Sequence, residues 1–372
     1  MGKRVFITGG AGFIGSHLAD ELIEKGYQVR ILDNLSEQVH GPGKIRPGYL
    51  HPEAELIVGD IRDPEAVRRA LKGVEAVYHL ASSVGVGQSM YEIASYTSTN
   101  NLGTAVLLEA IIQNPVERLI VASSMSIYGE GSYLSADGKI HNHKERKMEQ
   151  LRMGLWEVYD HEGEVLIPLA TPETKPPSLA SVYALSKYDQ ERMCQMIGRA
   201  YNLSAVILRF FNVFGPRQAL SNPYTGVLAI FASRLLNDKP PLIFEDGNQQ
   251  RDFVSVYDVA RAGRCALEIA EADGCVFNIG SGRQYTIKEI AGQMIKALGV
   301  DHIRPVITGK YRVGDIRHCF ADVSAARKIL GYEPRISLEE GLIELAQWLG
   351  RQIALDRMEE ASAELMQRGL TI

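Results

Sequence analysis

The chain has 372 residues, 45% hydrophobic and 23% charged, with a formal net charge of −5. Such a composition suits an ordinary globular protein of one large domain or two intimate ones. The mild acidity gives no reason to expect nucleic acid or an anionic membrane as partner, and no apolar run nears the ~20 residues of a membrane span.

The first residues, MGKRVFITGG, enter a strand at once and carry no signal-peptide h-region or cleavage site. Four scattered cysteines (Cys194, Cys265, Cys275, Cys319) include no C-x-x-C pair. Both features lead us to expect a reducing, cytoplasmic location and no structural zinc. RVFITG reads as a buried strand and SHLADELIEKG as a helix ending at Gly26. YQVRILDN and ELIVGD are further strands. DPEAVRRALKG is a helix with Asp63 as N-cap and Pro64 in its first position. VEAVYHLAS, a long helical stretch to about Gln113, RLIVASS, and a helix from about Ser181 continue the series. Apolar strands alternating with helices predict an α/β fold with a doubly wound parallel sheet covered on both faces, the Rossmann arrangement.

From about Phe210 the rhythm breaks. GPRQALSNPYTG is a loop, PPLIFEDGNQQRDFVSV reads as strand, turn and strand, and Val259–Ala270 as a helix. CVFNIGSG looks like a late return to the main sheet, and the segment from about Leu338 like one or two charged amphipathic helices. We therefore expect one domain from 1–209 and 252–281, and a smaller mixed α/β domain from 210–251 and 282–372. The fifty residues at about 130–180 are too long for a plain loop and predict a lid, a subdomain or a partner surface. Their basic run Lys139–Lys147 is either a phosphate grip or a solvated helix face. His141 and His143 lack a third ligand at metal-like spacing, so no metal is expected.

VFITGGAGFIGSHL offers two glycine frames, Gly10/Gly12/Gly15 and Gly9/Gly12/Gly15, directly between a strand and a helix. Glycines there permit a tight turn and close approach of backbone to a pyrophosphate, which the helix N-terminus then attracts. Asp33 ends the second strand 18 residues after Gly15, close to the ~20 expected of a ribose-binding acid. A carboxylate at that place favours NAD over NADP.

SVYALSKYDQE sets Tyr183 and Lys187 one helical turn apart. A free phenol, with a pKa of about 10, is a poor base at neutral pH, and a neighbouring ammonium favours its ionised form. TGGAGFIGSHL, GDIRD, HLAS, the N-x-x-G-T of Asn100–Thr104, SSMSIYG, YALSK, LRFFNVFGPR, RDFVSVYDVA and FNIGSG follow in order. Together they resemble, over nearly the whole chain, the extended short-chain dehydrogenase/reductases that epimerise or dehydrate nucleotide sugars.

The resemblance implies NAD as cofactor, a nucleotide-diphosphate sugar as substrate, and a catalytic set of Ser124, Tyr183 (the base) and Lys187. It places Phe13, Ile14, Asn34, Asp60, Ile61, Leu80, Ala81, Ser82 and Asn100 beside the cofactor with the glycines and Asp33. Beside the substrate it places Ser124, Ser126, Asn212, Arg251, Arg312, Asp315 and Cys319, the last either a small gate residue or an ordinary buried cysteine. Dehydratases of this kind carry an Asp–Glu pair after the catalytic hydroxyl residue. Here Met125 and Ser126 stand instead, and neither is a usable acid near pH 7. The 3,5-epimerase pattern fails as well, for want of a cysteine at 126 and a lysine in GPRQALSNPYTG.

The expected activity is therefore 4-epimerisation through a transient 4-keto sugar. FGPRQALSNPYTGVLAIFASRLL, YRVGDIRHCFADVSAARKILGYEP and the PLATPETKPP exit of the insert resemble the dTDP-L-rhamnose 4-epimerase branch, from which WEVYDHEGEV departs in lacking cysteine. Net 4-ketosugar reduction with the same residues, or a non-catalytic binding role, are the competing readings. The family pairs the helix through Asn100–Gln113 with the one carrying Tyr183 across a two-fold axis. A homodimer is expected, with Val106, Ile111, Met193 and Met196 as apolar residues left over for it.

Overall fold

The computed structural model describes residues 2–142, 145–220, 222, 224, 226–312, 314–352, 356 and 358–371. Seven strands form the central sheet: β1 (Arg4–Thr8), β2 (Gln28–Asp33), β3 (Glu55–Val58), β4 (Ala76–His79), β5 (Arg118–Ser124), β6 (Ser204–Phe210) and β7 (Val276–Ile279). Their spatial order is β7-β6-β5-β4-β1-β2-β3, with every pair parallel. The expected late return of CVFNIGSG is β7, registered on β6 from Val276 against Ile207 to Ile279 against Phe210.

Alternation along the strands fills two cores, because successive side chains leave opposite faces. Val5, Ile7, Ile31, Ile120 and Val206 pack against Leu18 and Leu22 of α1 (Phe13–Glu24), and against Val259 and Ala262 of a later helix. Phe6, Leu32, Val77, Leu119 and Ile207 pack on the other face with Val67, Leu71, Leu107 and Cys194. Ile111, expected at a subunit contact, belongs to this inner core and is 3% exposed. Val106 and Met193 are partly covered by it, and Met196 is exposed.

Caps mark the elements that matter for the cleft. Asp63 accepts from the Glu65 amide at 2.9 Å, as its N-cap position requires. The helix α2 (Val182–Tyr201) starts at Ser181, whose hydroxyl accepts from Ala184 N, and ends at Asn202 in the left-handed region. A third core, including Phe231, Phe253, Ile290, Met294, Leu342 and Leu345, holds the C-terminal helices together.

The stretch read as strand, turn and strand makes three short strands, each in a different sheet. Leu242–Ile243 pairs with Val306–Ile307, Gln250–Arg251 lies between Tyr285–Thr286 and His318–Cys319, and Phe253–Ser255 pairs with Asn212–Phe214. The buried Asp252 carboxylate turns the chain between two of them, accepting from Ser281 N, Ser281 Oγ and Gly282 N. The insert is a small subdomain. Its antiparallel strands Ile140–His141, Ser132–Leu134 and Ile167–Leu169 are joined to the body by buried charge.

Candidate active site

Beyond the carboxyl ends of β1, β2, β4 and β5 lies a cleft of about 700 Å³. This is the crevice where strand order reverses between β1 and β4, the usual ligand position in such sheets. Gly9, at φ +70°, sits so close to the end of β4 that a Cβ would meet Ala81 N at 2.8 Å. A Cβ on Gly15 would meet Gly9 O at 2.5 Å. Gly9, Gly12 and Gly15 line the cleft. Gly10 instead abuts the side chain of Ile31, so the cradle uses the Gly9/Gly12/Gly15 frame. The N-cap of α1 is Gly12, which has no side chain to bond the first amides of the helix, and an anion is the partner they lack.

The Asp33 carboxylate accepts from Ala11 N and Leu35 N, both at 3.0 Å, leaving lone pairs for a ribose diol. Phe13, Ile14, Asn34, Ile61, Leu80, Ala81 and Ser82 also line this end. The residues fit NAD: a cradle without Cβ atoms for the pyrophosphate and an acid for the ribose.

Two residues expected beside the cofactor do not reach the cleft. Asp60 is held by its neighbour Arg62, whose Nε and Nη2 reach the carboxylate at 2.9 and 2.7 Å and keep its pKa below the usual range. Asn100 is fully buried. Its Oδ1 accepts from Ser83 N at 2.8 Å, and its Nδ2 donates to Ser83 O and to Ser186 Oγ at 3.1 and 2.9 Å. It ties the loop after β4 to α2, and so acts on the cleft through those elements.

Tyr183 and Lys187 project from α2 towards the end of β5, where Ser124 stands beside the Tyr183 phenol. Burial pushes that phenol up to about 12, and the Ser124 hydroxyl pulls against it. Burial also pushes Lys187 down to about 8, opposed by the charge of Glu191 one turn on. Ser89 Oγ accepts from Tyr183 N at 3.1 Å and fixes the start of the helix.

The serines of SSMSIYG divide. Ser123 also borders the cleft, but its hydroxyl is committed to Glu191, which forms a bidentate pair with Arg209 at 2.9 and 2.8 Å. Ser124 donates to Ser126 Oγ at 3.1 Å, and both line the cleft. Met125 is 7% exposed and packs with Ile127, Tyr128 and Phe211 at the cleft wall.

At the far end stand Asn212, Arg251, Arg312 and Asp315. Asn212 Oδ1 and Arg312 Nε are buried without a hydrogen-bond partner, as are Gln218 Oε1 and Gln249 Oε1, which share the cleft. The Arg312 guanidinium lies 4.5 Å from the centre of the Phe244 ring. Arg251 is braced by the carbonyls of Gln250, Arg317 and Ile316, with Asp315 Oδ1 at 3.5 Å. Cys319 is not a gate. It is fully buried one layer below the wall, its thiol 3.8 Å from Thr171 Oγ1, in a cluster with Met125, Tyr128 and Phe211.

Sequence reading missed Gln218, Gln249, Phe244, Gln88, Tyr96 and the C-terminal helix, all of which line the cleft. None sits in a motif; they meet only through the fold. The basic run of the insert divides among its described residues. Lys139 pairs with Asp137 in solvent, whereas Arg146 is buried against Glu130 and Glu245 at 3.2 and 2.7 Å. His141 faces Ser135 Oγ at 3.0 Å; His143 and Lys144 lie outside the described residues. Among the described residues no three His, Cys, Asp or Glu are grouped to hold a metal ion, and no helix is long and apolar enough to cross a membrane.

The chain is 37% identical over 357 residues to a dTDP-L-rhamnose 4-epimerase of Burkholderia thailandensis, covering 95% of this chain and 96% of that one. Its fold matches a UDP-glucose 4-epimerase from Thermotoga maritima with UDP-glucose, at a TM-score of 0.76 and 35% identity, covering 94% and 99% of the two chains. A UDP-glucuronic acid 4-epimerase from Bacillus cereus, in complex with UDP-glucuronic acid and NAD, matches at a TM-score of 0.77 and 28% identity, covering 94% and 99%. The model of the NAD dependent epimerase/dehydratase family matches residues 5–150 and 151–280. With the glycine cradle, the acid at the ribose end and the hydroxyl–tyrosine–lysine set in one cleft, this chain belongs to the NAD dependent epimerase/dehydratase family.

Proposed function

We propose that the protein is an NAD-dependent nucleotide-sugar 4-epimerase acting on a dTDP- or UDP-hexose, with dTDP-L-rhamnose as the first candidate substrate. The observation that carries this reading is the pairing of Ser124 with Tyr183 above Lys187, in a segment that offers no carboxylic acid beside Ser124. Tyr183 takes the proton of the sugar 4-hydroxyl, and Ser124 holds that oxygen in line by hydrogen bonding. Lys187 stabilises the phenolate. NAD, which the Gly9/Gly12/Gly15 cradle and Asp33 would hold, would supply the hydride acceptor and donor for C4. Arg251, Arg312 and Asn212 hold the diphosphate, guanidinium being suited to it by fixed charge and bidentate geometry. The 4-keto sugar then turns within the cleft and is reduced on its other face, Tyr183 giving the proton back.

In the same reading 1–209 and 252–281 bind NAD, and 210–251 and 282–372 bind the nucleotide sugar. A cytoplasmic homodimer completes it. Exposed Leu102, Leu185 and Met196, on and beside the helices expected to pair, support an isologous contact, which light scattering at micromolar concentration tests.

The decisive experiment incubates the enzyme with dTDP-L-rhamnose, UDP-glucose and dTDP-glucose and reads the C4 configuration by NMR. Inverted C4 with no added cofactor is expected from at least one of them. Release of a 4-keto-6-deoxy product from dTDP-glucose would mean that another acid serves the site and that the Met125 argument fails. A requirement for stoichiometric reduced cofactor would favour a ketosugar reductase.

A further inference from the structure

The last helix, α3 (Met358–Gln367), lies along the mouth of the cleft. Met358, Ala361, Ser362 and Leu365 line it, and so does Leu370 just beyond. The opposite face of the helix is pinned to the body. Tyr224 donates to Glu364 Oε2 at 3.0 Å, and Tyr91 donates to Tyr224 at 2.6 Å while its own oxygen lies 3.1 Å from Glu364 Oε2. Arg368 stacks 4.2 Å from the centre of the Tyr91 ring and reaches Glu364 Oε1 at 3.1 Å. Ahead of the helix, Asp356 forms a buried pair with Arg234 at 3.2 Å and meets Lys239 at 3.1 Å.

The two ends of this segment meet the two ends of the proposed substrate. Leu365 lies against Gly87, where a Cβ would meet its Cδ2 at 3.4 Å. Two residues on, Ser89 carries the amide of Tyr183. At the other end the backbone of Thr371 bridges that of Arg312, whose Nε is buried and unpartnered at the cleft.

We propose that residues 358–371 form the wall that closes on a bound nucleotide-diphosphate sugar, with Leu365 a specificity-determining residue at the sugar end and Thr371 setting Arg312 at the diphosphate end. This rests on the reading of the cleft as a nucleotide-sugar site. Met358, Ala361 and Leu365 bear no polar group, so a sugar hydroxyl turned to them goes unpaired and an apolar ring edge or deoxygenated carbon does not. At Leu365 the wall therefore selects by volume and by the absence of a sugar hydroxyl, Ser362 being the residue of the helix face that can pair with one.

Two variants test it: a chain ending at Asp356, which keeps the pair with Arg234, and Leu365→Trp, which fills the sugar end. Both are assayed on whichever of dTDP-L-rhamnose and UDP-glucose the wild type epimerises, alongside dTDP affinity by calorimetry and NAD content after purification. The truncated chain should keep its NAD, raise KM by about tenfold or more and weaken dTDP binding by about fivefold. Leu365→Trp should raise KM by a similar factor and leave dTDP affinity within about twofold. A folded truncated chain with unchanged KM and unchanged dTDP affinity overturns the proposal, as does an unchanged KM in Leu365→Trp, which decides alone if the truncated chain does not fold. If the wild type epimerises neither sugar, the functional reading falls, and weakened dTDP binding in the truncated chain still separates the two claims.

Discussion

Tyr183 and Lys187 occupy an environment that disfavours charge on either side chain. Burial takes the phenol up to about 12 and the ammonium down to about 8. Four charged or neutral combinations are available to the pair, and the first proton to leave belongs to the pair as a whole, with an apparent pKa set by the lower of the two values. The base exists only after that loss, so kcat/KM should rise with pH and level off above about 8. Lys187→Met removes the ammonium and leaves the phenol to burial alone, so the rising limb should move upward by more than about one unit. Profiles of log kcat/KM from pH 6 to 10 for both proteins check this; a limb that stays in place in the variant would remove Lys187 from the mechanism. In Tyr183→Phe, which keeps the ring and loses the proton acceptor, kcat should fall by about 10²–10⁴-fold while KM changes little.

The run Ile93–Gln113 shows what an element can hide from its sequence. It is helical throughout, yet a π-helical stretch, Thr97–Leu102, interrupts it. The extra residue per turn breaks the 3.6-residue phase on which face assignments rest, and such insertions recur at functional sites. Asn100 lies inside the π stretch and turns inward to Ser82, Ser83 and Ser186. Asn100→Ala removes the partner of the half-buried Ser83 amide and one partner each of the Ser83 carbonyl and the Ser82 and Ser186 hydroxyls, and should lower stability by about 2 kcal/mol, with less NAD retained on purification. Urea unfolding at constant m and a cofactor assay measure both; an unaltered midpoint and full NAD content would mean the loop after β4 is held by other contacts. The same contrast explains what was legible. Gly9, Gly12, Gly15 and Asp33, and the Tyr183–Lys187 turn, announce themselves because each constraint is local to one loop or one helical turn. Asn100, Asp60 and Cys319 are assigned by resemblance, and nothing in the sequence shows that Asn100 is buried against Ser83 and Ser186, that Arg62 grips Asp60, or that Cys319 packs beneath the wall. Gln218, Gln249 and Leu365 carry no local signal, because only the tertiary fold brings three distant segments to one cleft.

At the scale of the whole molecule, one side chain joins the insert to the turn between the strands Leu242–Ile243 and Gln250–Arg251. Arg317 is fully buried and pairs with Glu245 at 2.8 Å, with Asp246 at 2.6 Å and with Glu157 of the insert at 2.5 Å. Arg146 shares Glu245 and Glu130, Glu130 accepts from the amides of Arg317 and His318, and the carbonyl of Arg317 braces Arg251. Removing one partner from such a network strands charge away from water. Arg317→Met should therefore destabilise the protein by about 3 kcal/mol at pH 7, the lower end of the range for a broken buried pair, since Glu157 and Asp246 keep some solvent to screen them. The pH dependence follows from the sign of the shifts. Against burial, hydrogen bonds from His318 and Arg317 hold Glu157, and those from Arg317 and Asn248 hold Asp246, at about 2, below their ordinary values, so the share that Arg317 contributes is complete above about pH 4.5 and is lost as pH falls towards 2. The stability gap between wild type and Arg317→Met should accordingly be widest at neutral pH and shrink steadily below pH 4.5. Because the same residue carries the backbone that braces Arg251, KM for the nucleotide sugar should rise along with the loss of stability. Urea titrations of both proteins at pH 7, 5 and 3.5 measure the gap. If it is the same at all three values, the network holds the insert by packing and not by charge, and the link from the insert to that turn must be sought in other contacts.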